Sequence, residues 1–159
     1  MNETKFRAWY KEKNKMFDVA KLDFWGGTDE ATCDLASRDE ELFDIYLYEI
    51  ELMQFSGLKD KNGKEIFRGD IVRKYVHLFE DHYDGYTLGF IDSDTTFEGY
   101  IYGVVTYVPS RGYVIKKKLI EDCIEGGKEK QKGWSQIICR RTEVIGNIHE
   151  NPELLEVSE

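Results

Sequence analysis

Two histidines and two carboxylates lie within the six residues "HLFEDH", from His77 to His82. Imidazole nitrogens and carboxylate oxygens are zinc ligands, so His77, Glu80 and His82 are candidates for a metal site. Residues five apart on a strand point to opposite faces, however, and no cysteine or third histidine lies nearby. We therefore predict a solvated loop at this position, with no metal and no cofactor.

The segment "GLKDKNGKEIFRGDIV", residues 57–72, places acidic and amide side chains at short intervals that resemble a calcium loop. Counted from Asp60, the fifth position of such a loop is Lys64, and a cation there repels calcium. The segment also lacks the GxxxxGK[ST] pattern of a phosphate loop. Asn62 and Gly63 instead predict a tight type I′ turn, followed by a returning strand and a bend at Gly69-Asp70.

Candidate nucleophiles are few, because none of the three cysteines forms a CxxC pair or has an adjacent histidine. Cys123 and Cys139 lie in the apolar contexts "DCI" and "IICR", which predict buried, inert thiols. The carboxylate pairs lie in acidic stretches, where we expect solvated side chains rather than a general acid and base. The sequence thus predicts a protein that is not an enzyme.

Positive charge is concentrated between residues 111 and 141, in a chain whose formal net charge is -9. Cations follow a phosphate backbone and aromatic rings stack on bases, so this segment raises the alternative of a nucleic-acid-binding surface. The net charge disfavours that alternative. The candidate residues are Lys116, Lys117, Lys118, Arg140, Arg141, Trp134 and Tyr113. Pairing of the acidic segment 28–51 with this basic segment between copies is a further interpretation.

The N-terminal elements that would position these residues are short strands. Residues 5–19 alternate and break at "KEKNK", which predicts two strands joined by a turn. Ser37 followed by Glu40 is a capping-box pattern, so we predict a loop or short helix near 37–43. A strand is expected near 45–54.

The C-terminal elements carry stronger β signals. Two β-branched and aromatic runs flank the turn residues Pro109–Gly112, which predicts a hairpin. Residues 81–99 read as a turn-rich acidic insertion, and 124–134 as a polar loop. Asn151 and Pro152 predict a final helical turn.

These elements predict a mainly β fold. We expect a small N-terminal β-rich or α+β subdomain over residues 1–56, with the acidic segment. A small SH3-like or related β-barrel or sandwich is expected over 57–159, within one compact unit. The chain lacks a signal-peptide pattern and an apolar stretch of membrane-spanning length, so a cytoplasmic protein without membrane contact is expected.

Three segments of the chain match motifs of one family. They are "KFRAW" with Met16, "LMQFSGLKDKNGKEIFRGDIV" over Leu52–Val72, and "VIGNIHENPELL" over Val144–Leu155. On these motifs the chain resembles the YopX family of phage and prophage proteins. It departs from them at Phe55-Ser56, Phe67-Arg68 and His149. The motif residues to which we assign structural roles are Gly57, Asp60, Asn62, Gly63, Gly69, Asp70, Gly146, Asn147, Asn151 and Pro152.

The resemblance implies a mostly β protein with a barrel-like C-terminal part, and it brings no catalytic residues. We therefore expect a phage or prophage accessory protein that acts as a non-enzymatic binding or assembly module. The expected partners are further copies of the chain, and a phage or host protein.

Overall fold

The computed structural model describes residues 3–25 and 30–156, apart from the side chain of Lys117. The chain forms two compact units. The first comprises Met1–Leu58 with Glu65–Arg68, and the second comprises Lys59–Lys64 with Gly69–Glu159. The sequence-based division into 1–56 and 57–159 stays a prediction about the folding units of the chain.

The first unit contains a six-stranded antiparallel sheet with the strand order β4-β3-β2-β1-β5-β6. The strands are β1 (Phe6–Tyr10), β2 (Lys15–Asp23), β3 (Thr32–Ala36), β4 (Glu41–Tyr46), β5 (Ile50–Lys59) and β6 (Glu65–Phe67). The two predicted strands in residues 5–19 are confirmed as the β1–β2 hairpin. Alternate residues of these strands form one buried cluster, Ala8, Tyr10, Phe17, Cys33, Leu35 and Ile50.

The short helix considered for residues 37–43 is absent, and this prediction is wrong. Ser37 and Glu40 close a turn between β3 and β4, in which the Ser37 amide donates to the Glu40 carbonyl at 2.8 Å. Leu42 and Ile45 pack against the buried cluster of the first unit, so tertiary burial outweighs the local capping pattern. The strand expected near 45–54 is interrupted by a 3₁₀ turn at Leu47–Glu49.

The second unit contains an antiparallel sheet with the order β10-β9-β8-β7-β12, and β11 also pairs with β9. The strands are β7 (Asp70–Tyr83), β8 (Phe90–Val108), β9 (Gly112–Asp122), β10 (Lys128–Gln131), β11 (Ser135–Gln136) and β12 (Thr142–Asn147). The predicted hairpin at Pro109–Gly112 is confirmed. Gly112 has a φ of 74°, and Val108 pairs with it across the turn.

The acidic insertion predicted for residues 81–99 is mostly strand, so its description as turn-rich is wrong. β7 continues to Tyr83, β8 starts at Phe90, and only the residues between them turn. Large apolar side chains pair across the two strands, such as Leu78 with Phe97 and Tyr83 with Phe90. Aromatic and β-branched cross-strand pairs favour extended chains even where the flanking residues are acidic.

The mainly β class is confirmed, but the C-terminal sheet is not a closed barrel within the described residues. β10 pairs only with β9 and β12 only with β7, so the two edges of the sheet do not meet. A segment with a 3₁₀ turn at Cys139–Arg141 connects β11 to β12, which lie on opposite sides of the sheet order. No helix in the described ranges has the length and hydropathy of a membrane-spanning segment.

Candidate functional site

The outer half of the β7–β8 hairpin, residues 77–98, forms a two-stranded ribbon that we call the arm. Its strands pair from His77 and Glu98 to Tyr83 and Phe90. A two-stranded ribbon buries little of its own apolar surface, and contiguous exposed apolar surface marks interaction sites. The exposed large apolar side chains of the arm are Leu78, Phe79, Tyr83, Tyr86, Leu88, Phe90 and Ile91.

The tip of the arm holds a leucine in an unfavourable backbone conformation. Leu88 has a φ of 55°, and its side chain is 78% exposed. The turn is closed by hydrogen bonds from the Leu88 amide to the Asp84 carbonyl at 3.0 Å and from the Asp84 amide to the Gly89 carbonyl at 2.8 Å. A left-handed leucine costs conformational energy that glycine or asparagine would avoid. Neither burial nor local geometry in the described residues accounts for leucine here.

An apolar groove of about 680 Å³ lies at the base of the arm. Its floor is formed by Val76, Leu78, Phe97, Ile101 and Ile120. These side chains share one face of the sheet, because Leu78 pairs with Phe97 and Ile101 pairs with Ile120. The floor residues are half-buried, except for Leu78, which is 55% exposed. The groove is therefore an accessible apolar surface on three adjacent strands.

The rim of the groove is acidic, with Asp122, Glu125 and Glu129 along the segment from the end of β9 into β10. The Asp122 carboxylate accepts hydrogen bonds from the Ile124 and Glu125 amides at 2.7 and 3.1 Å. Among the described residues, no cation forms an ion pair with Glu125 or Glu129. These two carboxylates are the free charges of the rim.

Lys128 also lines the groove, but its ammonium group is engaged elsewhere. The Lys128 Nζ lies 3.5 Å from a carboxylate oxygen of Glu121 and 5.0 Å from the ring centroid of Tyr102. Tyr102 follows the floor residue Ile101 in β8, so its side chain lies on the opposite face of the sheet. The acidic rim is thus not neutralised by its one lysine.

The three consecutive lysines of the predicted nucleic-acid surface are not presented together. Lys116 is exposed, whereas Lys118 is 8% exposed, and the Lys117 side chain lies outside the described part of the structure. The pairing of β8 with β9 shifts register beside these residues, which breaks the regular alternation of exposed and buried positions. Only Lys116 of this trio is described as an exposed cation.

The two aromatic residues of that predicted surface have intramolecular partners. The Arg111 guanidinium lies over the Trp134 ring at 4.3 Å from the centroid. Tyr113 packs edge to face against Tyr107, with 5.3 Å between the ring centroids. Arg140 and Arg141 are exposed on the 3₁₀ turn between β11 and β12. Both rings therefore have an intramolecular neighbour, while Trp134 remains 42% exposed.

Two buried lysines hold the segment that leads from β10 into the connection to β12. The Lys74 ammonium donates to the Ser135 hydroxyl and to the Gln136 carbonyl at 2.9 Å. The Lys118 ammonium donates to the Gln131 side-chain oxygen at 3.2 Å and to the Trp134 carbonyl at 3.5 Å. Burial lowers the pKa of Lys74, and the nearby positive charges of Lys118 and Arg141 lower it further. Lys118 therefore holds the segment after β10 through these hydrogen bonds, whereas the sequence had suggested that it lies on a nucleic-acid-binding surface.

The histidines of the "HLFEDH" segment make separate side-chain contacts. His77 Nε2 lies 3.0 Å from the Thr95 hydroxyl, and His82 Nε2 lies 3.1 Å from a carboxylate oxygen of Asp94. No group of three His, Cys, Asp or Glu side chains suited to a metal is found among the described residues. The segment is part of strand β7, so the prediction of a loop there is wrong.

The cysteines differ from the sequence-based expectation. Cys123 is exposed and Cys139 is half-buried, so the prediction of two buried thiols is wrong for Cys123. Cys123 lies just beyond the end of β9, where its apolar neighbour Ile124 is itself exposed. Cys33 is the buried cysteine, and burial raises the pKa of its thiol to about 11.

The central family motif forms a loop organised by Asp60. Asp60 Oδ1 accepts hydrogen bonds from the Asn62 and Lys64 amides at 2.8 and 2.9 Å, and Oδ2 accepts one from the Val144 amide at 2.9 Å. A type I′ turn needs a positive φ at both Asn62 and Gly63, but of these two only Gly63 has one, of 81°, so the predicted type I′ turn is wrong. Because the carboxylate already bonds two loop amides, Asn62 has no need of a left-handed conformation.

The predicted bend at Gly69-Asp70 lies where the turn ends at Gly69 and β7 begins at Asp70. Gly69 has a φ of 89°, and its amide donates to the Val105 carbonyl at 2.8 Å. Its carbonyl accepts from the Ile148 amide at 3.0 Å. Asp70 is buried. Gly57, earlier in the motif, has a φ of 81° within β5.

The C-terminal motif is a compact turn held by two asparagines. Asn147 Oδ1 accepts from the His149 and Glu150 amides, both at 3.0 Å. A side chain on Gly146 would lie 2.5 Å from the Asn151 Oδ1, so only glycine fits there. The predicted helical turn is confirmed as a 3₁₀ turn at Pro152–Leu155. Asn151, however, makes no side-chain cap and accepts instead from the Asn147 amide at 3.4 Å.

Sequence reasoning missed the groove and its floor. In β8, Phe97 and Ile101 lie on one face of the strand, and Glu98 and Tyr102 lie on the other. Apolar or aromatic residues therefore occur on both faces of this segment. That pattern indicates a strand in which each face is either buried or available for binding. It was the available signal for a binding face on the β7–β8 hairpin.

Comparison with known proteins adds a family and a related fold. A family model described as "YopX protein" matches residues 5–156. The chain is similar to the crystal structure of protein EF1440 from Enterococcus faecalis, with 24% sequence identity and a TM-score of 0.50. The similarity covers 98% of this chain and 100% of that chain. No curated protein matches this sequence.

Proposed function

Since this chain belongs to the YopX family, we propose that it is a non-enzymatic binding or assembly module that self-associates through the arm. The carrying observation is the exposed apolar surface of the arm, with Leu88 held in a left-handed conformation at its tip. Strained residues that persist without a structural reason point to function. The phage or prophage setting remains an expectation from the family resemblance, and the cytoplasmic location remains an expectation from the sequence patterns.

The apolar content of the arm supports a protein partner. Tyr86 at the tip is 99% exposed, and Phe79 and Phe90 are also exposed on the strands. Aromatic side chains are enriched among the residues that contribute most to the affinity of protein interfaces. Burial of Leu88 and Tyr86 on a second surface would remove apolar area from water, which favours association.

The charge distribution supports a second copy as that partner. Residues 75–110 contain no lysine or arginine, and the arm carries the carboxylates Glu80, Asp81, Asp92 and Asp94. The same unit exposes cations at Lys116, Lys130, Lys132, Arg140 and Arg141. Opposite charges on one chain are complementary between copies and set the register of association. The arm exposes more large apolar side chains beside its carboxylates than the described part of segment 28–51, which exposes Phe43, Tyr46 and Tyr48.

Sedimentation velocity over a range of protein concentrations tests the proposal. The variant Leu88→Asn removes the apolar side chain and suits a left-handed residue, so it keeps the turn. We expect wild-type protein to associate, and Leu88→Asn to weaken association by about tenfold or more. Ile148→Asn is the matched control, since Ile148 is an exposed aliphatic residue whose amide bonds the Gly69 carbonyl, just before the end of β7 that is opposite to the arm.

Two results would contradict the proposal. If wild-type protein stays monomeric at all concentrations, the chain does not self-associate. If the Leu88→Asn variant associates like wild type, the arm is not the surface through which the chain self-associates. The nucleic-acid alternative has its own test, because a labelled oligonucleotide at low salt should shift with wild-type protein and not with Arg140→Glu/Arg141→Glu.

A further inference from the structure

The groove at the base of the arm is a second surface, and its chemistry differs from that of the arm tip. Its floor is apolar, and it lies on the face that carries Val76, Leu78 and Ile120. A volume of about 680 Å³ holds several side chains but is open along the sheet. Contact of this apolar surface with water is unfavourable in free energy. A bound apolar segment would remove the surface from water and so favour binding.

The rim decides what charge the occupant carries. Glu125 and Glu129 lie at the edge of the groove without an ion pair to any described residue, while Lys128 pairs with Glu121. By the pairing of β9 with β10, Glu129 lies opposite the floor residue Ile120, whereas Lys130 lies opposite Leu119 and so points to the other face. The open face of the groove therefore presents unpaired negative charge beside apolar side chains.

We propose that the groove binds an extended segment of a partner protein, with apolar side chains on the floor and Lys or Arg side chains against Glu125 and Glu129. Charge complementarity selects this occupant. The acidic arm of a second copy would bring like charges to the rim, and so would a nucleic acid. We assign the groove to a segment of another protein, and the inference does not depend on self-association. Occupation by the basic segment of a second copy is an outcome that the tests below distinguish.

The probes are two fluorescein-labelled peptides of equal length, in which Leu and Ile alternate with Lys in one and with Glu in the other. Fluorescence anisotropy on the full chain measures binding at moderate salt. We expect the Lys peptide to bind at least about tenfold more tightly than the Glu peptide, because two rim carboxylates attract one and repel the other.

Charge reversal at the rim tests the assignment without disturbing the core. Glu125→Lys/Glu129→Lys changes two exposed side chains, and it should reverse the preference between the two peptides. Glu153→Lys/Glu156→Lys makes the same change of net charge at two exposed positions outside the groove, and it should leave the preference unchanged. This matched pair separates the rim from the charge of the whole protein.

The apolar floor has a separate variant. Leu78→Ser removes one exposed floor side chain, and it should weaken binding of the Lys peptide by about tenfold. Thermal melting confirms that this variant is folded.

Four results would overturn the proposal. They are no binding of either peptide, equal binding of both, a preference that survives Glu125→Lys/Glu129→Lys, and binding of the Lys peptide by the Leu88→Asn variant but not by wild-type protein. The last result would mean that a second copy occupies the groove.

Discussion

Replacement of Asp60 by asparagine tests whether this carboxylate holds the central family motif in place. Asp60 is 6% exposed, and its two oxygens accept three backbone hydrogen bonds. Asparagine has the same shape but only one acceptor oxygen. Whichever way the amide turns, its NH₂ group faces a backbone N–H that had been satisfied.

The expected loss is largest at Val144, because this residue is buried and its amide donates to Oδ2. A hydrogen bond to a charged group contributes about 1.5–3 kcal/mol, and the two remaining bonds lose their charge assistance. We expect Asp60→Asn to lower the free energy of unfolding by about 2–3 kcal/mol. For a chain of this length, that corresponds to a fall in Tm of about 4–12 °C.

The matched control is Asp122→Asn. Only Oδ1 of Asp122 accepts hydrogen bonds, from two loop amides, and asparagine reproduces that turn. Urea denaturation followed by far-ultraviolet circular dichroism measures both variants, and the control should lie within about 0.5 kcal/mol of wild type. If Asp60→Asn also lies within that margin, the third hydrogen bond to β12 is not what stabilises the motif.

Two further predictions follow from the pKa shifts. Hydrogen bonds from Arg73 at 2.8 Å and from Lys61 lower the pKa of Glu143 below its ordinary 4.5. The ionised Glu143 therefore stabilises the fold above pH 4.5, and this stabilisation is lost as the pH falls through the lowered pKa. Wild-type protein should therefore have a higher urea midpoint than Glu143→Gln at neutral pH, and this difference should narrow as the pH falls below 4.5; an unchanged difference contradicts the pairing. The raised pKa of Cys33 keeps its thiol protonated at neutral pH, so mass spectrometry after alkylation of native protein should find Cys123 modified first. Early modification of Cys33 would contradict its burial.

Much of the β structure could be predicted from local patterns. The β1–β2 hairpin and the Pro109–Gly112 hairpin follow from alternation and turn residues, which act over a few neighbouring positions. No helix forms at 37–43, because Leu42 and Ile45 are half-buried against a cluster whose residues include Ala8, Phe17 and Ile50, which are distant in sequence. The same limit applies to Lys118, whose burial depends on a register shift between β8 and β9.

The candidate site was the least predictable part. The run "HLFEDH" could be read as a loop, since its charges suggest solvent. Its place in the arm depends on pairing with residues 90–98, and the groove needs side chains from three strands and an acidic loop. No local pattern reports such convergence.

By itself, the sequence determined the mainly β class, the main hairpins and the family, because these depend on short-range periodicity, turn chemistry and contiguous motifs. It also specified the residues of the Asp60 loop, although not the hydrogen bond from Asp60 to Val144. Only the tertiary structure decided which charged and apolar side chains share a face. Strand register and burial link positions far apart in the chain, and they place Lys118 inside and Leu88 at an exposed tip.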